Sequence, residues 1–298
     1  MKHPLFALFF IVTVAACTGC GDSGQDDYAD RMAHEHANDA PVPTPITAAP
    51  ATPVDTSTVQ YGTVDGHTVT GYMAVPARPD SALTAMGVSA DSSLPGIIVI
   101  HEWWGLNDNI KAMARRLAGQ GFRALAVDLY DGQVAAQPDQ ATKLVRQVMQ
   151  NQGAATENLE AAYRYLSEQQ HAPRVGVIGW CFGGGQALQA SLALPDEIDA
   201  TVIYYGHLTT DRGELQTLDM PILAFFGQED QSIPAADIQA FQQALKDEGK
   251  DVQVYTYEGA GHAFANPSGR NYVEEAANDA WQKTVPFLRQ HLYPGHTG

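Results

Sequence analysis

Short runs of uniformly apolar residues recur along the chain, separated by stretches whose apolar positions repeat every three to four residues. The clearest run is Gly96-Ile97-Ile98-Val99-Ile100, which suits a strand buried on both faces. Runs at 124–127, 175–178, 201–205, 222–226 and 252–257 read the same way. Ile110, Met113, Ala114 and Leu117 repeat with helical spacing, and Gly119 and Gly121 close that helix. Leu159, Ala162, Tyr163 and Leu166 mark another amphipathic helix, and further helices are predicted near 182–194, 235–246 and 272–291. Ahead of them, 60–64 and 67–75 flank Asp65-Gly66 and predict a hairpin with a tight turn, followed by a loop over about 77–93. Strand and helix alternate, so the fold class is α/β: a doubly wound, mostly parallel sheet with helices on both faces, opened by an antiparallel hairpin. Such sheets bind ligands beyond the carboxyl ends of their strands.

The beginning of the chain follows a different pattern. Lys2 and His3 precede an apolar run over 5–16, then small residues and Cys17. That is the layout of a secretory signal, and the run is short of the ~20 apolar residues that span a bilayer. Val14-Ala15-Ala16-Cys17 resembles the bacterial lipobox, whose cysteine is lipidated; Cys20, with no bulky apolar residues just before it, is the alternative. The division read from this pattern is a lipoprotein-type signal at 1–16, a flexible tether at 17–56 rich in Asp, Ala, Pro and Thr, and a folded domain at 57–298. The protein would then be exported and held by lipid at Cys17 on the periplasmic or cell-surface side. His34-Glu35-His36 can ligate a metal, but histidines in a mobile tail are more often solvated, so neither metal nor cofactor is expected.

Composition narrows the function. The net charge of −17 argues against nucleic acid, whose phosphates need clustered Lys and Arg. Of the three cysteines, Cys17 and Cys20 sit at the N-terminus, which leaves Cys181 alone in the body and excludes a disulfide framework there. A lone cysteine is either a buried small hydrophobe or a reactive thiol.

Its surroundings favour the second. Gly179-Trp180-Cys181-Phe182-Gly183 follows the strand at 175–178 and opens a helix, the form of a nucleophile elbow. Small residues are needed two positions either side because neighbouring backbone crowds the turn. The helix N-terminus favours negative charge on the sulfur, and the N–H of Phe182 can face a developing oxyanion. After the strand at 222–226 come Glu229 and Asp230, and after that at 252–257 comes Gly261-His262. The order nucleophile, acid, histidine is that of α/β-hydrolases, with His262 taking the thiol proton and Asp230 or its rival Glu229 orienting the ring. His101-Glu102-Trp103-Trp104-Gly105 ends the strand at 96–100. The Trp103 N–H is the expected second oxyanion donor, and Glu102 lies beside the site. Trp104 either walls an apolar pocket suited to a neutral ester or plugs the core edge, while Asp128-Leu129-Tyr130 shapes the same rim.

These segments together resemble the dienelactone hydrolase family of α/β-hydrolases, from about Tyr61 to the last helix. The likeness rests on Glu102-Trp103-Trp104-Gly105-Leu106-Asn107, Asp128-Leu129-Tyr130, Leu159-Glu160-Ala161-Ala162, Gly179-Trp180-Cys181-Phe182-Gly183-Gly184 and Ala260-Gly261-His262-Ala263-Phe264-Ala265. The resemblance implies a Cys181, His262, Asp230 triad and a Glu102 that contacts the resting thiol until substrate displaces it. It departs at two arginines that bind the substrate carboxylate in the family's best-known members. This chain has Asn266 and Pro138 at those positions, with Arg270 and Lys143 out of register. The expected activity is hydrolysis of a small ester or lactone by a monomer, through a thioester on Cys181. The alternatives are a catalytically silent, lipid-anchored binding protein, and a thiol redox protein that would lack a second body cysteine.

Overall fold

The computed structural model describes residues 23–37, 49–89 and 93–293. Its centre is an eight-stranded sheet in the order β1-β2-β4-β3-β5-β6-β7-β8. The strands are β1 (Val54–Val64), β2 (His67–Pro76), β3 (Gly96–Ile100), β4 (Arg123–Ala126), β5 (Val175–Trp180), β6 (Ala200–Tyr204), β7 (Ile222–Gly227) and β8 (Val252–Tyr257). β1 and β2 form the predicted antiparallel hairpin, and every pairing from β4 to β8 is parallel. Its turn has positive φ at both Asp65 and Gly66, the backbone that an Asp-Gly hairpin turn takes. β3, β5, β6 and β7 are buried at every residue, which is why they read as unbroken apolar runs.

Among the described residues the helices are α1 (Ser23–Glu35), α2 (Pro79–Ala85), α3 (Asp108–Ala118), α4 (Pro138–Gln150), α5 (Gln152–Arg164), α6 (Phe182–Ala193), α7 (Arg212–Leu215), α8 (Ala235–Asp247) and α9 (Glu274–Leu292). α3 starts where Asn107 caps it by accepting from the Ile110 N–H at 3.1 Å. α5 runs into one π-helical turn, Tyr165–Gln169. α2 replaces part of the loop predicted over 77–93; Pro79 at its first turn has no N–H to lose there.

The larger departure is α1, which lies within the stretch predicted to be a flexible tether. Tyr28, Ala29, Met32 and His36 are buried, at a spacing that brings them to one helical face. Averaged over the polar composition around it, this narrow stripe falls below what a self-supporting helix needs, but docking on α4 and on the strand-end loops supplies the missing burial. β1 also begins at Val54, so the domain starts a few residues before 57. The signal residues, Cys17, Cys20 and the tether at 38–48 lie outside the described residues. No described helix is long and apolar enough to cross a membrane.

Candidate active site

β5 ends at Trp180, α6 begins at Phe182, and Cys181 makes the bend with φ 58° and ψ −124°. Such a conformation costs a non-glycine residue about 1–3 kcal/mol and persists only when its surroundings enforce it. Here the Cys181 N–H donates to the Tyr204 carbonyl at 3.0 Å, and the Cys181 carbonyl accepts from Gly184 N–H at 2.9 Å. The flanking glycines are required: a Cβ on Gly179 would sit 1.9 Å from the Gly183 carbonyl oxygen. One on Gly183 would sit 2.4 Å from that of His101. The Phe182 N–H belongs to the first turn of α6, whose amides have no acceptor within the helix.

The loops after β7 and β8 interlock. Gly227 passes so close that a Cβ on it would lie 2.2 Å from the Ala260 carbonyl oxygen, and that oxygen accepts from Glu229 N–H at 2.9 Å. This locks Asp230 against His262, whose Nδ1–H donates to Asp230 Oδ2 at 2.8 Å with both side chains fully buried. The other oxygen, Oδ1, accepts from the N–H groups of Ser232 at 2.8 Å and Ile233 at 3.0 Å. Glu229 is exposed, so the choice left open by the sequence falls to Asp230. Burial opposes a charge on the His262 ring, but the Asp230 carboxylate and then the Cys181 sulfur outweigh it and hold its pKa well above the ordinary value.

Beyond β3, His101 ties two loops together. Its Nδ1–H donates to the Glu102 carbonyl at 2.7 Å, and its Nε2 accepts from Leu129 N–H at 3.2 Å. Burial lowers its pKa, in keeping with this neutral tautomer. Glu102 is buried, and its Oε2 accepts from Asn266 Nδ2 at 2.6 Å. The oxygen of that same amide accepts from Asn109 Nδ2 at 3.2 Å and from Ser268 N–H at 2.8 Å. Asn266, at the position where the resemblance to the family implied an arginine, is thus committed to the Glu102 network. Pro138 starts α4 and supplies no cation. Trp103 and Trp104 are buried with ring centroids 4.7 Å apart. Tyr130 is buried 4.5 Å from the His101 ring and 5.7 Å from that of Phe182, and its hydroxyl has no hydrogen-bond partner among the described residues. Burial and then the charge of Cys181 hold the Tyr130 pKa well above normal. Asp128 accepts from Tyr130 N–H at 2.9 Å and Gly132 N–H at 2.6 Å, which holds the turn after β4.

α1 covers this centre. Tyr28 stacks on His207 at 4.7 Å, and His36 stands 5.1 Å from the Trp103 ring and 4.9 Å from that of His262. Arg31 Nε donates to the Ser232 carbonyl at 3.2 Å, and Glu35 accepts from the Ser232 hydroxyl. Beneath the helix Cys181 is 2% exposed and His262 0%. Tyr28 has its pKa raised by burial and then by the charges of Cys181 and Asp230. Tyr28, Tyr205 and His207 are neighbours of this centre that the sequence reading missed, and His36, which it read as a solvated histidine, belongs to the cover over the centre. Tyr205-Gly206-His207 follows β6 and could have been found by the strand-end rule that found the others; the Tyr205 ring lies 5.1 Å from that of His262.

The dienelactone hydrolase family model matches residues 82–292, from α2 to the end of α9. The chain belongs to the dienelactone hydrolase family. Protein usf of Aquifex pyrophilus is 34% identical over 66% of this chain and 89% of its own. A protein of Saccharolobus solfataricus, provisionally named a carboxymethylenebutenolidase, is 31% identical over 76% of this chain and 95% of its own. One of the same provisional name from Escherichia coli K12 is 30% identical over 82% and 94% respectively. Among solved structures, a dienelactone hydrolase-like promiscuous phosphotriesterase from metagenomic libraries superposes with a TM-score of 0.68 at 24% identity, over 80% of this chain and 98% of that one. The fold is therefore that of the α/β-hydrolases, and the chain is a dienelactone hydrolase-like hydrolase.

Proposed function

We propose that this family member hydrolyses small, uncharged esters or lactones through a thioester on Cys181. The observation that carries the reading is the buried Asp230–His262 pair, 2.8 Å long, beside a cysteine held at a strained elbow. Nδ1 of His262 is engaged by Asp230, so Nε2 is the nitrogen that takes the thiol proton. The sulfur attacks the acyl carbon, and the N–H groups of Phe182 and Trp103 stabilise the tetrahedral oxyanion. Collapse expels the alcohol, which takes its proton from His262; in a lactone that alcohol stays tethered to the acyl group. His262 then activates water, and hydrolysis of the thioester frees Cys181. Glu102 acts here as a polar neighbour of the resting thiol, while Trp104 and Tyr130 line the acyl side.

Substrate access requires α1 to lift. Burying Tyr28 and Met32 contributes about 1.5–3 kcal/mol each, and a helix of 13 residues is marginal alone. Detachment is then a local event that leaves the sheet intact. The same cover favours a second reading, a silent hydrolase fold used for binding. Both keep the layout proposed from the sequence, in which Cys17 carries lipid and the domain faces away from the cytoplasm.

Incubation of the full chain and of Cys181→Ala with short activated esters, followed by intact-mass measurement, separates the two. Turnover and a Cys181-dependent acyl adduct are expected. Equal rates in Cys181→Ala would refute the thioester, and absence of both turnover and adduct would favour the binding protein.

A further inference from the structure

The C-terminal end of α1 brings Glu35 and His36 to His262, and one donor atom from each lies within 4.8 Å of the others. We propose that Glu35, His36 and His262 form a binding site for a borderline divalent cation of the zinc class, which latches α1 across the centre described above. The donor set selects that class: imidazole and carboxylate suit zinc, whereas magnesium and calcium prefer all-oxygen cages. Zinc bonds of about 2.0–2.1 Å in a tetrahedron put ligand atoms about 3.3 Å apart. The three donors must therefore close by at most about 1.5 Å, a movement within reach of two side chains at a helix end.

The surroundings already have the form of a metal site's outer shell. His262 Nδ1–H is bound to the Asp230 carboxylate at 2.8 Å, so Nε2 is the nitrogen left to face a cation, as in carboxylate–histidine–metal arrangements. The Glu35 carboxylate is steadied by the Ser232 hydroxyl and by Gln231 N–H at 3.5 Å. His36 and His262 are buried and Glu35 is half-buried, so solvent competes weakly for the ion. The net charge of −17 draws cations toward the protein.

The consequence is a competition for one nitrogen. Nε2 of His262 is also the proposed acceptor of the thiol proton, so a cation seated there removes the base and pins the cover in the same event. This silencing rests on the proposed hydrolase mechanism, whereas cation binding does not.

The test uses the full chain, zinc chloride and a competing chromophoric chelator, with wild type, His36→Ala and the shape-preserving Glu35→Gln. Wild type is expected to bind one zinc ion, and each variant to bind about 10–100-fold more weakly. Zinc should inhibit wild-type ester hydrolysis over the range in which it binds, with reversal by chelator. His36→Ala should keep its activity at zinc concentrations that silence wild type. Equal zinc affinity in His36→Ala, or no binding by wild type, would overturn the site. Equal inhibition of His36→Ala would overturn the latch, because zinc would then be acting on Cys181 and His262 directly. A protein that binds zinc through His36 but hydrolyses no ester would uphold the site and sink the hydrolase mechanism instead.

Discussion

Replacing Gly183 by alanine wedges the elbow apart from the strand beside it. The added Cβ would lie 2.4 Å from the His101 carbonyl oxygen and 2.5 Å from that of Ile100. Close carbon–oxygen contacts in proteins are about 3.3 Å, so the start of α6 and the end of β3 must separate by roughly 0.8–0.9 Å. Both obstacles are backbone, and no side chain can rotate out of the way. Overpacking of this kind costs about 1–3 kcal/mol of stability. The functional cost follows from what the two elements carry. The Phe182 N–H moves with α6 and the Trp103 N–H with the loop after β3, so the proposed oxyanion donors are driven apart. A misplacement near 1 Å lowers rate by about 100-fold. Steady-state hydrolysis of a short activated ester should therefore show kcat falling by about that factor, with KM changed far less. Two glycines serve as controls in the same assay. Gly185→Ala meets His207 Cβ and the His207 backbone nitrogen at 3.3 Å each, contacts that a shift of a few tenths of an ångström relieves, and Gly153→Ala meets nothing within 4 Å. Their rates should stay within about twofold of wild type, and Gly153→Ala should unfold no earlier. If Gly183→Ala kept both wild-type kcat and wild-type unfolding temperature, the proposed oxyanion geometry would be wrong.

Asp230→Asn keeps an acceptor for the Ser232 and Ile233 amides but turns an amide toward His262, favouring the wrong tautomer; kcat should fall by about 10³–10⁴-fold in the same assay. That variant also has a pH signature in chemical denaturation. The raised His262 pKa means the folded protein holds the proton more tightly, so the stabilisation is full below about pH 6.5 and is lost as pH rises through the folded value. The stability gap between wild type and Asp230→Asn should be largest near pH 6 and narrow under alkaline conditions. Asn266→Ala strips a donor from buried Glu102 and should lower stability by about 1–3 kcal/mol, read from the urea midpoint. Tyr28→Ala weakens the cover and should raise kcat/KM severalfold while global stability changes little; a fall in kcat/KM would mean that α1 assists the reaction.

The sheet was legible because β3, β5, β6 and β7 are buried on both faces and their sequences are correspondingly apolar throughout. The elbow was legible for a steric reason: Gly179 and Gly183 stand where a Cβ would strike backbone, and that demand is written directly into residue type. The pairing of Asp230 with His262 followed from chain order, but the choice of Asp230 over Glu229 did not. It is decided by the backbone contact between the β7 and β8 loops, which turns one side chain inward and its neighbour out. α1 was illegible for the opposite reason. Its buried face consists of a few side chains whose helical state depends on the surface they dock on, and that surface is assembled from loops distant in sequence. The Glu102–Asn266 bond escaped the sequence reading similarly: the missing arginine was visible, whereas the new task of the residue in its place was not.

That bond bears on which substrates the site admits. A carboxylate on the substrate would enter beside Glu102, whose own carboxylate accepts from the amide of Asn266 at 2.6 Å. An amide donates a hydrogen bond but carries no net charge, so Asn266 offers a second carboxylate beside Glu102 less than a bidentate arginine at that position would. The approach is unfavourable as well, because a chain of net charge −17 repels anions before they arrive. Trp103, Trp104, Tyr130 and Tyr205, all buried in this region, present broad aromatic faces with few polar atoms. An uncharged ester or lactone satisfies them by burial alone, and its negative charge develops only in the transition state, which the proposed Phe182 and Trp103 donors would stabilise. A series of esters matched in size but differing by one terminal carboxylate should therefore lose most of its kcat/KM on gaining the charge, and lose less of it as salt screens the long-range part.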